Sequence, residues 1–459
     1  MSDAFFYYLS HADSFFWSYI AFVIIMLLGC YLSFQTRFYQ IRALPTILKT
    51  FFSFLGKSPA TKTRGIHPLR TFFASVGGMI GIGNIVGIVT AVQMGGPGAL
   101  FWVWVAALVG GIIKYSEIFL GIKHRVANDH GGYDGGPKYF LKSAFKNQWI
   151  SIFIAILLCI YGVEIYQFSV VTNSLSTNLG LNRYMVIGAL LSVILYAGIG
   201  GIPRVSKICS WVMPFFMVIY LGMGLWIVCQ EIALLPGVLK NVFVSAFTGH
   251  AAVGGFAGST ALLAIQHGMS RAAYSADIGI GYDSIIQSES STVYPERQAQ
   301  LAVLGVCIDN LVCTMSILVV LLSGVWTSTE AIEGSSLVQH ALSNYFPFMH
   351  IFIPLFLLVV GYTTMIAYFC VGIKCARYLS PTYGLPVYTV YAIAALIFFS
   401  FFEQTQALLV MSVAGALLLI TNLIGIFMLR DQIVFTLEPH KTAFVDKESK
   451  ACMRNEGGV

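Results

Sequence analysis

Apolar residues dominate in eleven stretches of about 20 residues, the length a helix needs to cross a bilayer. They lie near 16–34, 71–93, 98–122, 150–176, 184–202, 208–230, 242–268, 298–323, 349–373, 385–402 and 406–429. The runs are too long and continuous for the alternating strands of a β-barrel. The pattern predicts an all-α polytopic membrane protein with about eleven transmembrane helices. Two stretches are interrupted. Gly77, Gly78, Gly81, Gly83 and Gly87 sit with Asn84 inside the second, and Gly249, Gly254, Gly255 and Gly258 sit inside the seventh. Such glycine density predicts helices that unwind mid-membrane; the competing reading is close helix packing through small residues. Unwound backbone exposes N–H and C=O groups that lipid cannot satisfy, so it persists only where it lines a cavity inside the protein.

Setting the first span aside leaves ten, and the interrupted ones are the first and sixth of these, running in opposite directions. Matching interruptions in two oppositely oriented five-helix halves mark a 5+5 inverted repeat, preceded here by one extra N-terminal helix. The expected organisation is 1–70, an N-terminal transmembrane helix and basic cytoplasmic loop; 71–232, the first repeat; 240–430, the second; and 431–459, a polar cytoplasmic tail. A ligand is expected between the two broken helices, near the midplane.

Composition agrees with the membrane assignment. Charged residues make up 10% of the chain, against about 25% in soluble domains. Residues 1–36 carry no Lys or Arg, whereas 37–70 carry Arg37, Arg42, Lys49, Lys57, Lys62, Arg64 and Arg70 with no acid. The positive-inside rule then places the N-terminus outside and the C-terminus in the cytoplasm. The net charge of +6 reflects cytoplasmic loops, so nucleic-acid binding is not indicated. No signal peptide is recognisable and the first span is expected to be retained. The cysteines lie mostly in apolar spans without metal-type spacing. No Walker motif or dinucleotide fingerprint is present, and no nucleophile–base cluster supports a membrane enzyme. No cofactor and no protein partner are indicated.

The first broken helix offers two kinds of site. N–H groups around Met79 to Asn84 suit a carboxylate. Carbonyls around Gly77 to Ile80 suit a small hard cation, which favours oxygen ligands. An amino acid uses both kinds of group. Asn84 serves either ligand through its amide oxygen, or caps the helix end.

Residues 81–87 (Gly-Ile-Gly-Asn-Ile-Val-Gly), the run Gly95-Gly-Pro-Gly-Ala-Leu-Phe-Trp-Val-Trp104, Lys114-Tyr-Ser-Glu117 and Arg125 together resemble the alanine or glycine:cation symporter family. The resemblance continues at Gly135-Gly-Pro137, Val212-Met-Pro-Phe215, Ser270-Arg271, Asp309, Cys313-Thr314 and Thr363-Thr364. It covers about 70 to 430. It implies the bacterial leucine-transporter fold and uptake of alanine or glycine, L or D, with Na⁺ or in some members H⁺. In that fold, carbonyls at the positions of Gly77 and Ile80 bind Na⁺ with hydroxyls at the positions of Thr363 and Thr364. The other reading of the two threonines is back-bonding to their own helix. The implied localisation is the bacterial inner membrane, with lipid, an amino acid and a coupling cation as partners. The chain departs from the family pattern in several places. Tyr368 stands where Trp is usual and is followed by Phe369-Cys370-Val371. Ala276-Asp277-Ile278-Gly279 replaces Asn-Glu-Ala-Gly, Asn310 replaces Thr, and Ile82 replaces a common Thr. These changes bear on substrate identity.

Glu164 lies inside 150–176, where the family often has Asn. An intramembrane carboxylate is a functional candidate by default: it can bind a substrate ammonium, serve an ion or carry a proton, or make an interhelical contact. Gln167, one turn on, is a candidate pocket amide, and Met79, Ile82, Gly83, Phe256 and Tyr368 complete the expected substrate site. Asp309 is expected to pair with a basic group or to carry protons. Lys114 and Glu117 are three apart on one helical face, which predicts an intrahelical pair. Arg271 and Asp277 are a candidate gate pair. Trp102 and Trp104 are read as structural, and His250 and His267 as non-ligands.

Overall fold

The computed structural model describes residues 2–55, 64–129, 131–248, 261–327 and 334–437. Its described residues are almost entirely helical. The chain opens with α1 (Ser2–Phe15), which passes through a π-helical segment at Phe16–Ala21 into α2 (Phe22–Gln35). The first helix therefore begins well before the expected residue 16. Two short helices, α3 (Tyr39–Arg42) and α4 (Leu44–Leu55), follow in the basic segment. The first interrupted span becomes α5 (Pro68–Met79), a π-helical turn at Gly83–Gly87, and α6 (Val89–Gly95), with a bend of 46° across the break. Proline at the first turn favours the start of α5, and His67 Nδ1 accepts from Leu69 N at 3.3 Å.

Next come α7 (Ala99–Lys123), α8 (Pro137–Phe145), α9 (Gln148–Tyr161), α10 (Ile165–Leu179), α11 (Arg183–Ile199), α12 (Gly201–Gln230) and α13 (Leu235–Thr248). Asn147 and Asn182 cap α9 and α11, each accepting at 2.9 Å from the backbone N–H two residues on. Capping by Asn satisfies N–H groups that the helix itself cannot pair. The remaining helices are α14 (Ala261–Ser275), α15 (Tyr282–Gln287), α16 (Pro295–Ser323), α17 (Gly334–Ser343), α18 (Met349–Leu379), α19 (Gly384–Phe399) and α20 (Gln404–Met428). A two-stranded antiparallel ribbon pairs Val126 with Asp134 and Ala127 with Tyr133.

Among the described residues, seven helices are long and apolar enough to span a membrane, or eight counting the bent pair. Two further expected spans, 184–202 and 385–402, are the shorter apolar helices α11 and α19. The remaining expected span, 242–268, falls on α13 and α14, but its glycine-rich segment 249–258 lies outside the described residues. One expected span is not continuous. The 150–176 stretch breaks at Gly162–Glu164, between α9 and α10, with Glu164 in the left-handed region at φ 53° and ψ 47°.

The broken first span sits at the centre of the bundle. Every residue from Thr71 to Val89 is buried except Phe73, which is half-buried. α12 and α18 pack along α5, and α14 and α16 pack against the π-helical turn. The outside is apolar: Trp211, Phe215 and Val218 on α12 are largely exposed, as a lipid-facing surface requires. Close approach is built in at Gly78. A Cβ there would overlap the Tyr282 ring and hydroxyl. Gly78→Ala is therefore expected to destabilise the protein by about 1–3 kcal/mol through overpacking. A lowered melting temperature of the purified protein would show it, and an unchanged one would refute this packing.

Candidate functional site

The backbone groups freed by the break are met by side chains from other helices. Ile80 closes α5 by donating to Val76 O at 2.8 Å and then extends, at φ −81° and ψ 97°. Gly81 N donates to Asn84 Oδ1 at 3.0 Å, and Ile82 N donates to Gln167 Oε1 at 3.3 Å. Ser316 on α16 donates to Asn84 O at 2.6 Å. Thr364 on α18 donates to Gly77 O at 3.2 Å. In this conformation the N–H groups of Gly81 and Ile82 are thus not free for a carboxylate, because Asn84 and Gln167 occupy them. Burial without water makes such pairing obligatory.

Asn84 acts as the cap of its own break and does not line the cavity. Its amide also donates to Asp309 Oδ1 at 2.5 Å. Ser275 donates to both oxygens of Asp309, at 3.1 and 3.2 Å. Asp309 therefore pairs with neutral donors in place of the expected basic group. Of the two threonines, Thr363 donates to Val360 O in its own helix at 2.8 Å, whereas the Thr364 hydroxyl lies between Gly77 O of α5 at 3.2 Å and Val360 O of its own helix at 3.3 Å. Gly77 O and the Thr364 hydroxyl meet across the break, where Ile80 ends α5; the Thr363 hydroxyl is turned to its own helix and towards Met213.

Beside the break lies a cavity of about 10 Å³, enough for about one water. Met79, Gly83, Glu164, Gln167 and Tyr368, all candidates from the sequence, line it together with Gly78, Tyr161, Tyr274 and Ser275. The Ile82 side chain points instead towards Gly361 on α18. Phe256 lies outside the described residues. No Lys or Arg lines the cavity. Two polar atoms of the wall, Glu164 Oε2 and the Tyr274 hydroxyl, are buried without a hydrogen-bond partner. The break at Gly162–Glu164 delivers the carboxyl here, because the left-handed turn interrupts the helix at that residue.

Tyrosines close the far wall. Tyr282 stacks on Tyr368 with ring centroids 3.8 Å apart and planes 8° apart. Tyr161 meets Tyr368 edge-on at 5.5 Å and Tyr274 at 6.3 Å. Sequence reasoning missed Tyr161, Tyr274 and Tyr282. The signal available for the first was Gly162 beside an intramembrane acid; the other two lie in segments whose approach to the cavity is purely tertiary.

Two expected ion pairs are not formed. Asp277 does not pair with Arg271: it is fully buried and bound by Lys114, whose Nζ lies 2.8 Å from Asp277 Oδ2 and donates to Asp277 O at 2.6 Å. Lys114 also reaches Asp283 Oδ2 at 3.3 Å. Consequently Lys114 does not pair with Glu117 one turn on, and both Glu117 carboxyl oxygens lack a hydrogen-bond partner. The linker after α14 and the first turn of α15 each bring an acid to Lys114, and together they outcompete the intrahelical geometry. Arg271 stays half-buried near α14. Trp102 and Trp104 are structural, donating to Ala246 O at 3.1 Å and to Thr314 Oγ1 at 3.0 Å.

Comparisons with known proteins agree with this architecture. The model of the sodium:alanine symporter family matches residues 3–453. The sodium/alanine symporter AgcS of Methanococcus maripaludis is 30% identical over 437 residues, covering 92% of this chain and 94% of that protein. The probable sodium/glutamine symporter GlnT of Bacillus subtilis is 28% identical, covering 93% of this chain and 88% of its own. Among solved structures, MhsT in complex with L-phenylalanine matches at TM-score 0.51 and 14% identity, covering 78% of this chain and 89% of that one. The nucleobase-cation-symport-1 family transporter Mhp1, closed with bromovinylhydantoin bound, matches at TM-score 0.52 and 13% identity, covering 76% and 75%. At these identities the structures share the fold alone, that of leucine-transporter-like proteins.

The buried cluster sets a test of the packing around the site. Lys114→Met strands Asp277 and Asp283 without their cation, and breaking a buried pair typically costs about 3–5 kcal/mol. Thermal unfolding of the purified variant should show that loss, with partial recovery in Lys114→Met/Asp277→Asn. Wild-type stability in Lys114→Met would contradict the pairing.

Proposed function

The chain belongs to the sodium:alanine symporter family and is a multi-pass, cation-coupled amino-acid transporter, not an enzyme; on that premise we propose sodium-coupled symport of a small neutral amino acid, alanine or glycine in the L or D form, by alternating access. The observation that carries this reading is the Thr364 hydroxyl 3.2 Å from Gly77 O across the break. A hydroxyl and a carbonyl from two helices supply the oxygen ligands that a hard cation requires. Na⁺ held there ties α5 to α18 and favours the substrate-ready state over the other, which is the condition for coupling.

The amino acid would enter the cavity beside the break. Its ammonium meets Glu164 Oε2, which lacks another partner. Its carboxylate meets the backbone N–H groups of the break, displacing Gln167 from Ile82 N. The small cavity, lacking Lys and Arg, favours a short neutral zwitterion over an acidic one. The wall must open to admit it, and the Tyr282–Tyr368 stack is the barrier on one side. The chain is assigned to the bacterial inner membrane, N-terminus outside and C-terminus in the cytoplasm. Its halves are assigned to 71–232 and 240–430, preceded by 1–70 and followed by the tail 431–459.

A second reading, proton-coupled symport with Glu164 as the carrier, is favoured by the same unpartnered carboxyl oxygen. A relative in Bacillus subtilis, 28% identical over 383 residues, is named a putative sodium/proton-dependent alanine carrier.

Uptake of labelled glycine and of L- and D-alanine into proteoliposomes separates the readings. An inward Na⁺ gradient is expected to drive accumulation, and Thr364→Ala to lower it by roughly 5- to 150-fold, the span of typical coupling energies. Accumulation on a pH gradient alone, abolished in Glu164→Gln, would transfer the assignment to protons. No accumulation of any of the three under either gradient would reject the substrate class.

A further inference from the structure

On the outer surface of the bundle, α2 and α20 lie side by side and leave a groove of about 420 Å³ between them. Leu28 and Leu423, both buried, form its floor. Leu27 and Tyr31 on α2 and Ile424 and Phe427 on α20 form its walls, and all four are exposed. Residues 27, 28 and 31 and residues 423, 424 and 427 repeat one spacing, so each helix gives the groove a single face. Every lining residue is apolar or aromatic.

The two ends of the groove differ. At the C-terminal ends of both helices the Tyr31 ring meets Phe427 edge-on at 5.8 Å. Arg430 stands directly beyond, its guanidinium carbon 4.4 Å from the centre of the Phe427 ring. It donates to Phe427 O at 2.9 Å, and its Nε lies 3.9 Å from Asp431 Oδ1, the long limit of an ion pair. Lys123 joins this end, since its Nζ donates to Gln432 O at 3.0 Å. Arg37 and Arg42, both exposed, follow the same end of α2. The chain carries no acid between Asp13 and Glu117.

An apolar channel open to the bilayer, with cations at one mouth, has the polarity of a phospholipid. An acyl chain covers the floor without wetting it, and a phosphate meets the fork of donors that a guanidinium presents. Aromatic rings at the mouth mark the headgroup level. Residues 438–459 do not suit the groove, because they contain no apolar run longer than three residues.

We propose that the α2–α20 groove binds an anionic phospholipid, with an acyl chain on Leu28 and Leu423 and the phosphate at Arg430 and Lys123. A zwitterionic lipid carries its own ammonium next to the phosphate and gains less from these cations. The bound lipid bridges the N-terminal helix and the last helix of the bundle, so it stabilises the folded protein by linkage.

Thermal unfolding of the purified full-length protein in detergent tests this without requiring transport. The protein is titrated with dioleoyl phosphatidylglycerol or, as the zwitterionic control with the same chains, dioleoyl phosphatidylcholine. Phosphatidylglycerol is expected to raise the melting temperature saturably and at lower concentration than phosphatidylcholine. Arg430→Gln should weaken the phosphatidylglycerol response about fivefold, the effect of one basic group near an anionic headgroup, and Arg430→Lys should restore most of it. Ile424→Trp, at an exposed position, fills the groove and should weaken the response to both lipids. If Arg430→Gln does not fold, the lipid comparison and Ile424→Trp decide the matter. Equal responses to the two lipids would mean unselective surface lipid and overturn the proposal, as would responses unchanged in Ile424→Trp. A lipid-free dimer that Ile424→Trp dissolves would give the groove to a second copy of the chain, and would overturn it too.

Discussion

Inside a bilayer a backbone N–H or C=O has no water to turn to, and this constraint organises the centre of the molecule. The break between α5 and α6 leaves polar groups over a few residues, and each described partner comes with a helix attached. Gln167 brings α10, Thr364 brings α18, and Ser316 and Asp309 bring α16. Asn84 ties two of these demands together, capping Gly81 N with its oxygen and reaching Asp309 with its nitrogen. These hydrogen bonds tie the surrounding helices to the break. In the function proposed above, these are the bonds that a carboxylate or a cation would replace.

A second interruption, at Gly162–Glu164, works in the opposite sense. The first break is largely satisfied, whereas this one leaves a carboxyl oxygen unpartnered against the cavity. A buried acceptor without a donor is costly, and a ligand with a positive or donor group relieves that cost. The cavity thus carries an unpaired acceptor at the head of α10, facing the first broken helix.

From the cavity the packing runs through rings to charges. Tyr368 stacks on Tyr282, and the next residue, Asp283, shares Lys114 with Asp277. Gly78 has no side chain, which lets the Tyr282 hydroxyl approach the break closely. A change in the width of the cavity thus bears on a fully buried ion cluster. Packed interiors respond to such changes by switching between discrete arrangements, not by gradual deformation.

Much of this was legible in residue order. Continuous apolar runs determine helices and the membrane, since a helix pairs its own backbone there and a closed barrel would need alternating strands. The glycines of 77–87 determine the first break, because only a weakened helix carries that many. Glu164 and Gln167 announce themselves as polar residues in an apolar span, and both reach the cavity. Pairings were not legible. Lys114 and Glu117 have ideal helical spacing, yet Lys114 turns to Asp277 in the linker after α14 and Asp283 in α15, more than 160 residues away in the chain. Arg271 and Asp277 are close in sequence and unpaired in space. Asn84 looked equally suited to a ligand or a cap, and the presence of Asp309 on α16 decided for the cap. The sequence alone determined where helices form and where they fail, because those depend on local propensity and on solvent. Which charge meets which, and which polar atom is left over to bind, was decided only by the tertiary structure, because buried electrostatics depend on the distances that packing imposes.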